Sequence, residues 1–441
     1  MTIYACGPTV YARIHVGNAR PYVVFALFKR FLEHEGYEVT LVENITDVND
    51  KIYDAARAQG VPSAELARQM TEAYREDTDR LGLGRPDHEP LASETIAPIV
   101  ELIEALVESG HAYPSRGDVY FDVRSFPSYG RLSNRRLDDM LPADQGEPEE
   151  DVALKRDPLD FALWKAHKEG EDTYWDSPWG PGRPGWHIEC SAMAESILGL
   201  DFDIHGGGQD LVFPHHENEI AQTEAGRARP LARYWMHNGM VRFGEEKMAK
   251  SVGNIALLGD TLERYGRDAL IMYFLSGNYR RPLTFSEEAM EQAVRSVERV
   301  ANFGRLVRRA GDTAVDAPAP EVARARDRFF AALRDDFSTP QALAALFDLV
   351  AEGNRRLDSG ETLGGVRAAL GEMLAVLGLE NLLQGDEPPD EEALRLAEER
   401  ERARSERDFA RADAVRRELT ERGYEVRDTP DGPQLVRTRD A

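Results

Sequence analysis

Only two cysteines, Cys6 and Cys190, occur in 441 residues. That excludes a disulfide framework and fits thiols kept reduced, free for metal binding or catalysis. No stretch approaches the ~18 uninterrupted apolar residues of a membrane span, and the chain does not open on a basic segment followed by an apolar run. Neither a membrane helix nor a signal peptide is expected, and the sequence reads as cytoplasmic. Positive charge is also scarce. Lys and Arg number 54 against 79 Asp and Glu, a net charge of −25, so diffuse binding to nucleic acid through overall charge is excluded and any RNA contact must be local. What is present is a 42% hydrophobic fraction, enough to build real cores, in a chain whose length suggests about three domains. There is no solenoid repeat and no long low-complexity tract.

Thr2 to Ala5 reads as a strand and Tyr37 to Glu43 as a second, β-branched one. Between them, Ala19 to Glu35 carries Val23, Val24, Leu27, Phe28, Phe31 and Leu32 at helical spacing, and Gly36 closes it. This is a βαβ unit, the opening of a parallel α/β sheet. Ser63 to Leu81 and Ser93 to Glu108 read as helices with Ser at the N-cap. From Gly117 to about Pro184 the pattern changes, with an alternating strand at Asp118 to Phe126, an acidic loop at Asp144 to Asp151, and Trp164, Trp175 and Trp179 among Gly and Pro. That segment reads as an insertion. The α/β pattern resumes at Trp186, with a helix Ser191 to Leu198, a strand Asp201 to Ile204, a glycine loop His205 to Gly208 and a strand near Tyr234 to Phe243. After Asp260 the chain reads as helical to Leu383, and Gln384 to Asp390 as an acidic linker. One Arg-rich helix and a β-like tail, Tyr424 to Val436, complete it.

The first candidate site is Cys6-Gly7-Pro8-Thr9-Val10-Tyr11 followed by His15-Val16-Gly17-Asn18, between strand one and helix one. Helix N–H groups at the carboxyl edge of a parallel sheet converge on anions, so a phosphate is the expected guest. His15 and Asn18 can donate hydrogen bonds there, and Gly17 has no Cβ to obstruct a nucleotide. Far downstream, Lys247-Met248-Ala249-Lys250-Ser251 sets two ammonium groups three residues apart, suited to a polyphosphate as charge builds up. Taken singly, each segment also fits an ordinary surface loop.

Together, His15 to Asn18 and Lys247 to Ser251 resemble the HIGH and KMSKS signatures of class I aminoacyl-tRNA synthetases, with Asn for the last His and Ala for the first Ser. Three wider strings, Gly185 to Met193, Phe213 to Glu219 and Tyr234 to His237, resemble the cysteinyl-tRNA synthetases in particular. The likeness runs through Asp268-Ala269-Leu270 to Asp408 to Asp413. Members of that family carry a short leader before the first cysteine, which here is already residue 6. That implies an upstream start or a trimmed first sheet edge.

The resemblance implies an α/β, Rossmann-like catalytic domain split over 1–92 and 186–259, with an insertion at 93–185. It further implies a stem-contact helical region at 260–311, a helical bundle at 312–383 and an anticodon-recognition module at 384–441. It implies activation of L-cysteine with ATP and transfer to tRNA(Cys) by a monomer that binds no membrane. His15, Asn18, Lys247 and Lys250 would be catalytic, and Gly17 and Ser251 would join them in binding ATP with Mg2+. Thr9, Trp186, His187 and Asp210 would bind substrate. Cys6, Cys190, His215 and Glu219 would hold one Zn2+ per chain. Coordination chemistry agrees: His215 and Glu219, four apart, share a face if that segment is helical, and two thiolates, an imidazole and a carboxylate suit zinc. By spacing alone the pair also fits a helix-surface contact. Cysteine and serine have nearly the same shape, so a plain pocket offers only a modest factor between them, whereas a soft metal binds a thiolate far better than a hydroxyl.

His187, His205, His216 and His237 are expected around that metal as partners that orient its ligands. Arg400, Arg404, Arg407 and Arg411 fall on one helical stripe that can meet phosphates. Residues 391–441 hold 12 basic and 14 acidic side chains, so a helix laced with ion pairs competes with that reading. Two further functions share the same core: a cysteine ligase of the mycothiol type, which lacks the terminal module, and a non-catalytic synthetase paralogue.

Overall fold

The structure is a computed structural model that describes residues 1–140, 154–243, 256–310, 317–383, 391–406, 408–422, 424–429 and 432–437. It forms two compact units, Met1–Leu258 with Gly277–Ser286, and Gly259–Ser276 with Glu287–Ala441.

The first unit runs β1 (Thr2–Ala5), α1 (Val16–His34), β2 (Thr40–Glu43), α2 (Asp50–Gln59), α3 (Ser63–Asp79) and α4 (Ile96–Glu108). Four short strands follow: β3 (Ala112–Ser115), β4 (Asp118–Phe121), β5 (Phe161–Ala166) and β6 (Gly182–Pro184). Then come α5 (Trp186–Leu198), β7 (Phe202–Gly208), α6 (Glu217–Arg227), β8 (Ala232–Asn238), β9 (Val241–Phe243) and β10 (Leu283–Phe285). β2, β1, β7 and β8 pair in that order, all parallel. This is the expected open sheet, with α1 as the crossover from β1 to β2. β3 to β6 form an antiparallel meander. Its inward face, with Val119, Phe121, Phe161, Leu163 and Trp164, shares one core with Leu102 and Leu106 of α4, Ile188 of α5 and Ala221 of α6.

Several local expectations change. The second strand begins only at Thr40. Ser63 is the first residue of α3 rather than its cap, and its hydroxyl bonds the Asp172 carboxylate instead. Ser93 likewise donates to Asp47, and α4 starts after Thr95. The alternating strand stops at Phe121, where Val123 to Ser125 coil into a helical turn. α5 starts at Trp186, five residues earlier than expected. The triglycine is no loop, because β7 continues to Gly208 with Gly206 opposite Met236 and Gly207 opposite His237. There the glycines permit close packing, as a Cβ on Gly206 would lie 2.0 Å from the Phe25 ring. α2 and β10 were not anticipated.

The second unit holds α7 (Leu258–Leu275), α8 (Glu287–Ala310), α9 (Pro320–Arg334), α10 (Thr339–Ser359) and α11 (Val366–Val376). It ends with α12 (Glu391–Ser405), α13 (Phe409–Glu421) and the hairpin β11 (Tyr424–Thr429) and β12 (Gly432–Arg437). Asn381 donates to Asp268 at 2.9 Å and Arg267 to the Gly378 carbonyl at 2.7 Å, fastening α7 to the end of α11. The single Arg-rich helix is in fact two. Asp408 caps α13 by accepting from Arg411 N–H at 3.0 Å, and the break destroys the arginine stripe. Arg400 is buried, Arg404 pairs with Glu401 at 3.3 Å and Arg411 with Glu399, while Arg407 lies outside the described residues. The ion-paired reading prevails over a phosphate-facing stripe. Among the described residues, no helix is long and apolar enough to cross a membrane.

Candidate metal centre and nucleotide edge

The carboxyl ends of β1 and β7, the first turns of α5 and the start of α6 converge on one buried cluster. Cys6 follows β1, Cys190 lies one turn into α5, His215 sits in the irregular turn Val212–His216, and Glu219 opens α6. Their four donor atoms all lie within 4.8 Å of one another, and all four residues are buried. Cys6 Sγ is 3.6 Å from Glu219 Oε1, and His215 Nε2 is 3.2 Å from the same oxygen. A tetrahedral zinc with Zn–S of about 2.3 Å and Zn–N of about 2.0 Å places its donors about 3.3–3.8 Å apart. The donor types and spacings therefore fit that ion. His215 meets Glu219 although its turn is irregular, so their contact does not depend on the continuous helix that the one-face argument assumes.

The electrostatics suit thiolate ligation. Cys190 is lowered to about 6, chiefly because Cys6 donates a hydrogen bond to it, with His215 adding a favourable charge against the cost of burial. Burial pushes Cys6 well up. For His215, burial opposes the charged ring, but Glu219 and Cys190 overcome it and raise its pKa. Burial drives His187 and His216 well below the usual histidine range, and takes His237 to about 4.

Around this set stand the other histidines. His187 Nδ1 lies 2.9 Å from His215 Nδ1, His205 Nε2 2.7 Å from Glu219 Oε2, and His216 Nδ1 2.8 Å from His237 Nε2. Trp186 stacks on His215 at 4.4 Å between ring centroids. His187 is buried between His215 and the Phe161 ring, which makes it a prop for His215. Asp210 is exposed on the turn after β7, where its charge helps raise the pKa of His215. Thr9 bridges to Thr46, beside the Val10 N–H bond to the Thr46 carbonyl at 3.1 Å. Sequence reasoning missed two neighbours. Trp235 stacks on His205 at 4.5 Å, and Glu189 is fully buried, its carboxyl group pushed well up chiefly by burial. Both stood inside strings already singled out, Tyr234 to His237 and Gly185 to Met193.

The second feature is the N-terminus of α1. His15 is its N-cap: the ring Nδ1 accepts from Asn18 N–H at 3.2 Å, while Asn18 Oδ1 accepts from His15 N–H at 3.2 Å. Because Nδ1 accepts, the neutral ring carries its proton on Nε2. Burial lowers His15 from the ordinary histidine value, so the cap is intact above that value and is lost as pH falls through the lowered one. Gly17 is required by this ring, since a Cβ there would stand 2.8 Å from His15 Cε1. We therefore expect Gly17→Ala to displace the His15 ring and open its cap with the fold intact. The His15 ring resonances in NMR and circular dichroism check this, and an unchanged cap would contradict it. Phe243 meets the His15 ring edge-on at 6.4 Å, and Val16 N–H bonds the Ala256 carbonyl at 2.9 Å. The chain thus leaves from His15 at Phe243 and returns to it at Ala256. Lys247, Lys250 and Ser251 belong to the segment between and lie outside the described residues.

A parallel sheet with a capped helix and a thiol-bearing edge is the architecture that the resemblance to class I aminoacyl-tRNA synthetases implies. Residues 1–295 match the family model of the tRNA synthetases class I (C) catalytic domain, 328–382 the DALR domain, and 387–437 the cysteinyl-tRNA ligase anticodon binding domain. Cysteine--tRNA ligase of Halorhodospira halophila is 47% identical over 99% of this chain and 95% of its own length. That of Brevibacillus brevis is 47% identical over 98% and 93%. The chain belongs to the cysteine--tRNA ligase family of class I aminoacyl-tRNA ligases. The fold is shared with Mycobacterium tuberculosis methionyl-tRNA synthetase in complex with methionyl-adenylate, with a TM-score of 0.63 at 18% identity over 87% of this chain and 90% of that one.

Proposed function

We propose that this chain activates L-cysteine with ATP and transfers the cysteinyl group to the 3′ end of tRNA(Cys). The observation that carries the substrate choice is the buried set of two thiols, one imidazole and one carboxylate at the sheet edge. Cys6, Cys190, His215 and Glu219 would hold one zinc ion, which when bound supplies a Lewis acid that accepts a thiolate and discriminates against a hydroxyl. Trp186, flat against His215, walls the pocket there, and Thr9, His187 and Asp210 complete the proposed substrate set.

Adenylation needs no protein nucleophile. The cysteine carboxylate attacks the α-phosphorus, the bond to the bridging oxygen breaks and pyrophosphate leaves, so the chain's task is positioning and charge stabilisation, to which Mg2+ taken up with ATP would add positive charge. His15 would present its Nε2–H to the phosphates, held by the Asn18 cap, with Gly17 giving the ring its place. Lys247, Lys250 and Ser251 would supply the positive charge and hydrogen bonds that follow the leaving pyrophosphate. Thiol-dependent ATP–pyrophosphate exchange, followed by charging of bulk tRNA with labelled cysteine, tests the whole reading. Exchange without charging would favour a ligase that passes the adenylate to another acceptor, and neither activity would favour the non-catalytic paralogue.

The domain reading is part of the proposal: catalysis in 1–92 and 186–259, the insertion 93–185 between them, stem contact by 260–311, a bundle at 312–383 and anticodon recognition by 384–441. α12, α13 and the hairpin support the last of these with a core of their own, formed by Ala393, Leu396, Val415, Leu419, Tyr424 and Val426. Ending the chain after Leu383 should leave pyrophosphate exchange near normal while charging falls about thirtyfold, the loss of ~2 kcal/mol of tRNA binding. Equal loss of both would show that the tail serves the fold.

A further inference from the structure

A second group of four donors overlaps the first. Cys6, His205, His216 and Glu219 also place one ligand atom each within 4.8 Å of the others, and all four are buried. The two groups share Cys6 and Glu219 and differ in the rest, Cys190 with His215 in one and His205 with His216 in the other. The carboxylate is oriented for both, with Oε1 beside Cys6 and His215 and Oε2 2.7 Å from His205 Nε2.

His216 is the informative member. Its Nε2 is enclosed without a hydrogen-bond partner, 4.0 Å from Glu219 Oε1, while its Nδ1 is braced by His237 at 2.8 Å. A metal-binding imidazole has this arrangement, one nitrogen left for the ion and the other fixed by a hydrogen bond. His215 shows the same pattern, with Nδ1 against His187 at 2.9 Å and Nε2 turned to Glu219. An enclosed polar nitrogen with no partner is costly, so its position calls for a ligand. The surroundings hold the ring in place. A Cβ on Gly207 would come 3.2 Å from His216 Cε1, and Trp235 packs beside both the His205 and the His216 rings at 4.5 and 5.2 Å.

We infer that Cys6, His205, His216 and Glu219 form a second metal position, into which a zinc-like cation passes when Cys190 cannot hold it. This rests on the reading of Cys6, Cys190, His215 and Glu219 as the resident site. Because two donors are common to both, one ion with four protein ligands occupies one position or the other. A set with one thiolate and two imidazoles still suits Zn2+ and Co2+.

The test is a crossed pair of substitutions in the full-length chain, read by metal content and by the Co2+ spectrum. Cys190→Ala should bind about one Co2+ per chain, with thiolate-to-cobalt intensity near half that of the unsubstituted chain, since one thiolate ligates in place of two. Adding His215→Gln should leave that binding in place, whereas adding His216→Gln should weaken it by roughly ten- to a hundredfold. Circular dichroism of each variant confirms that it is folded. A folded Cys190→Ala without metal, beside an unsubstituted chain that holds one ion, overturns the second position and leaves the first standing. So does a Cys190→Ala that depends on His215 and is indifferent to His216. An unsubstituted chain that takes up neither Zn2+ nor Co2+ overturns both.

Discussion

Cys6→Ala should abolish zinc binding at the proposed site and lower cysteine activation by about a thousandfold, the ~4 kcal/mol expected when a metal-dependent contact to substrate is lost. Cys6 belongs to both donor sets, so no complete alternative remains when it is removed. Its loss also takes away the hydrogen bond that holds Cys190 near 6, and the remaining thiol becomes a poorer ligand at neutral pH. The side chain lies in an apolar cluster with Tyr4, Met193 and Phe202, and alanine is tolerated there better than a polar replacement. The loss should therefore be one of metal and chemistry, with the fold kept. Metal analysis of the purified variant and thiol-dependent pyrophosphate exchange measure it. A Cys6→Ala chain that retains one zinc and activates cysteine normally would place the thiol-selective element elsewhere, with the pocket around Trp186 and Thr9 the next to examine. Stripping the unsubstituted chain with a strong chelator should reproduce the loss, and added zinc should restore it.

The parts that were legible in the sequence are those whose pattern is local. Ile3 to Ala5 and the apolar face of α1 follow from periodicity, and the His15 cap is a short-range motif. The buried group of four donors was legible only by resemblance, since Cys6 and Cys190 are brought together by the pairing of β1 with β7 and the docking of α5, which no spacing encodes. The misreadings have physical causes. Gly206 to Gly208 looked like a loop, yet the glycines keep the strand extended while Phe25 and His216 press against it. Ser63 and Ser93 are ordinary capping residues whose hydroxyls were claimed by Asp172 and Asp47, distant partners that local rules do not see. The arginine stripe assumed an unbroken helix, and the Asp408 cap interrupts it. α2 was overlooked although Asn49 caps its start and Gly60, at φ 68°, closes its end. Its apolar face consists only of Ile52, Tyr53 and Ala56, too short a stripe to announce itself.

Lys250→Ala should slow adenylate formation by about a hundredfold or more while the ATP KM changes by less than about threefold. Charge accumulates on the β- and γ-phosphates as the bond to the α-phosphorus breaks, so an ammonium group placed for that moment contributes more to the transition state than to ground-state binding. The neutral ring of His15, capped through Nδ1, can donate a hydrogen bond but adds no positive charge, so in the proposed mechanism that charge would come from the lysines. Phe243 and Ala256, which flank in sequence the segment that carries them, both lie against the His15 turn at the edge of the sheet where the phosphate site is proposed. Single-turnover measurement of cysteinyl-adenylate at varied ATP separates the two effects. A large rise in KM with turnover unchanged would make Lys250 a binding residue, and equal losses in Lys250→Ala and Lys250→Arg would show that its size, more than its charge, is what the loop requires.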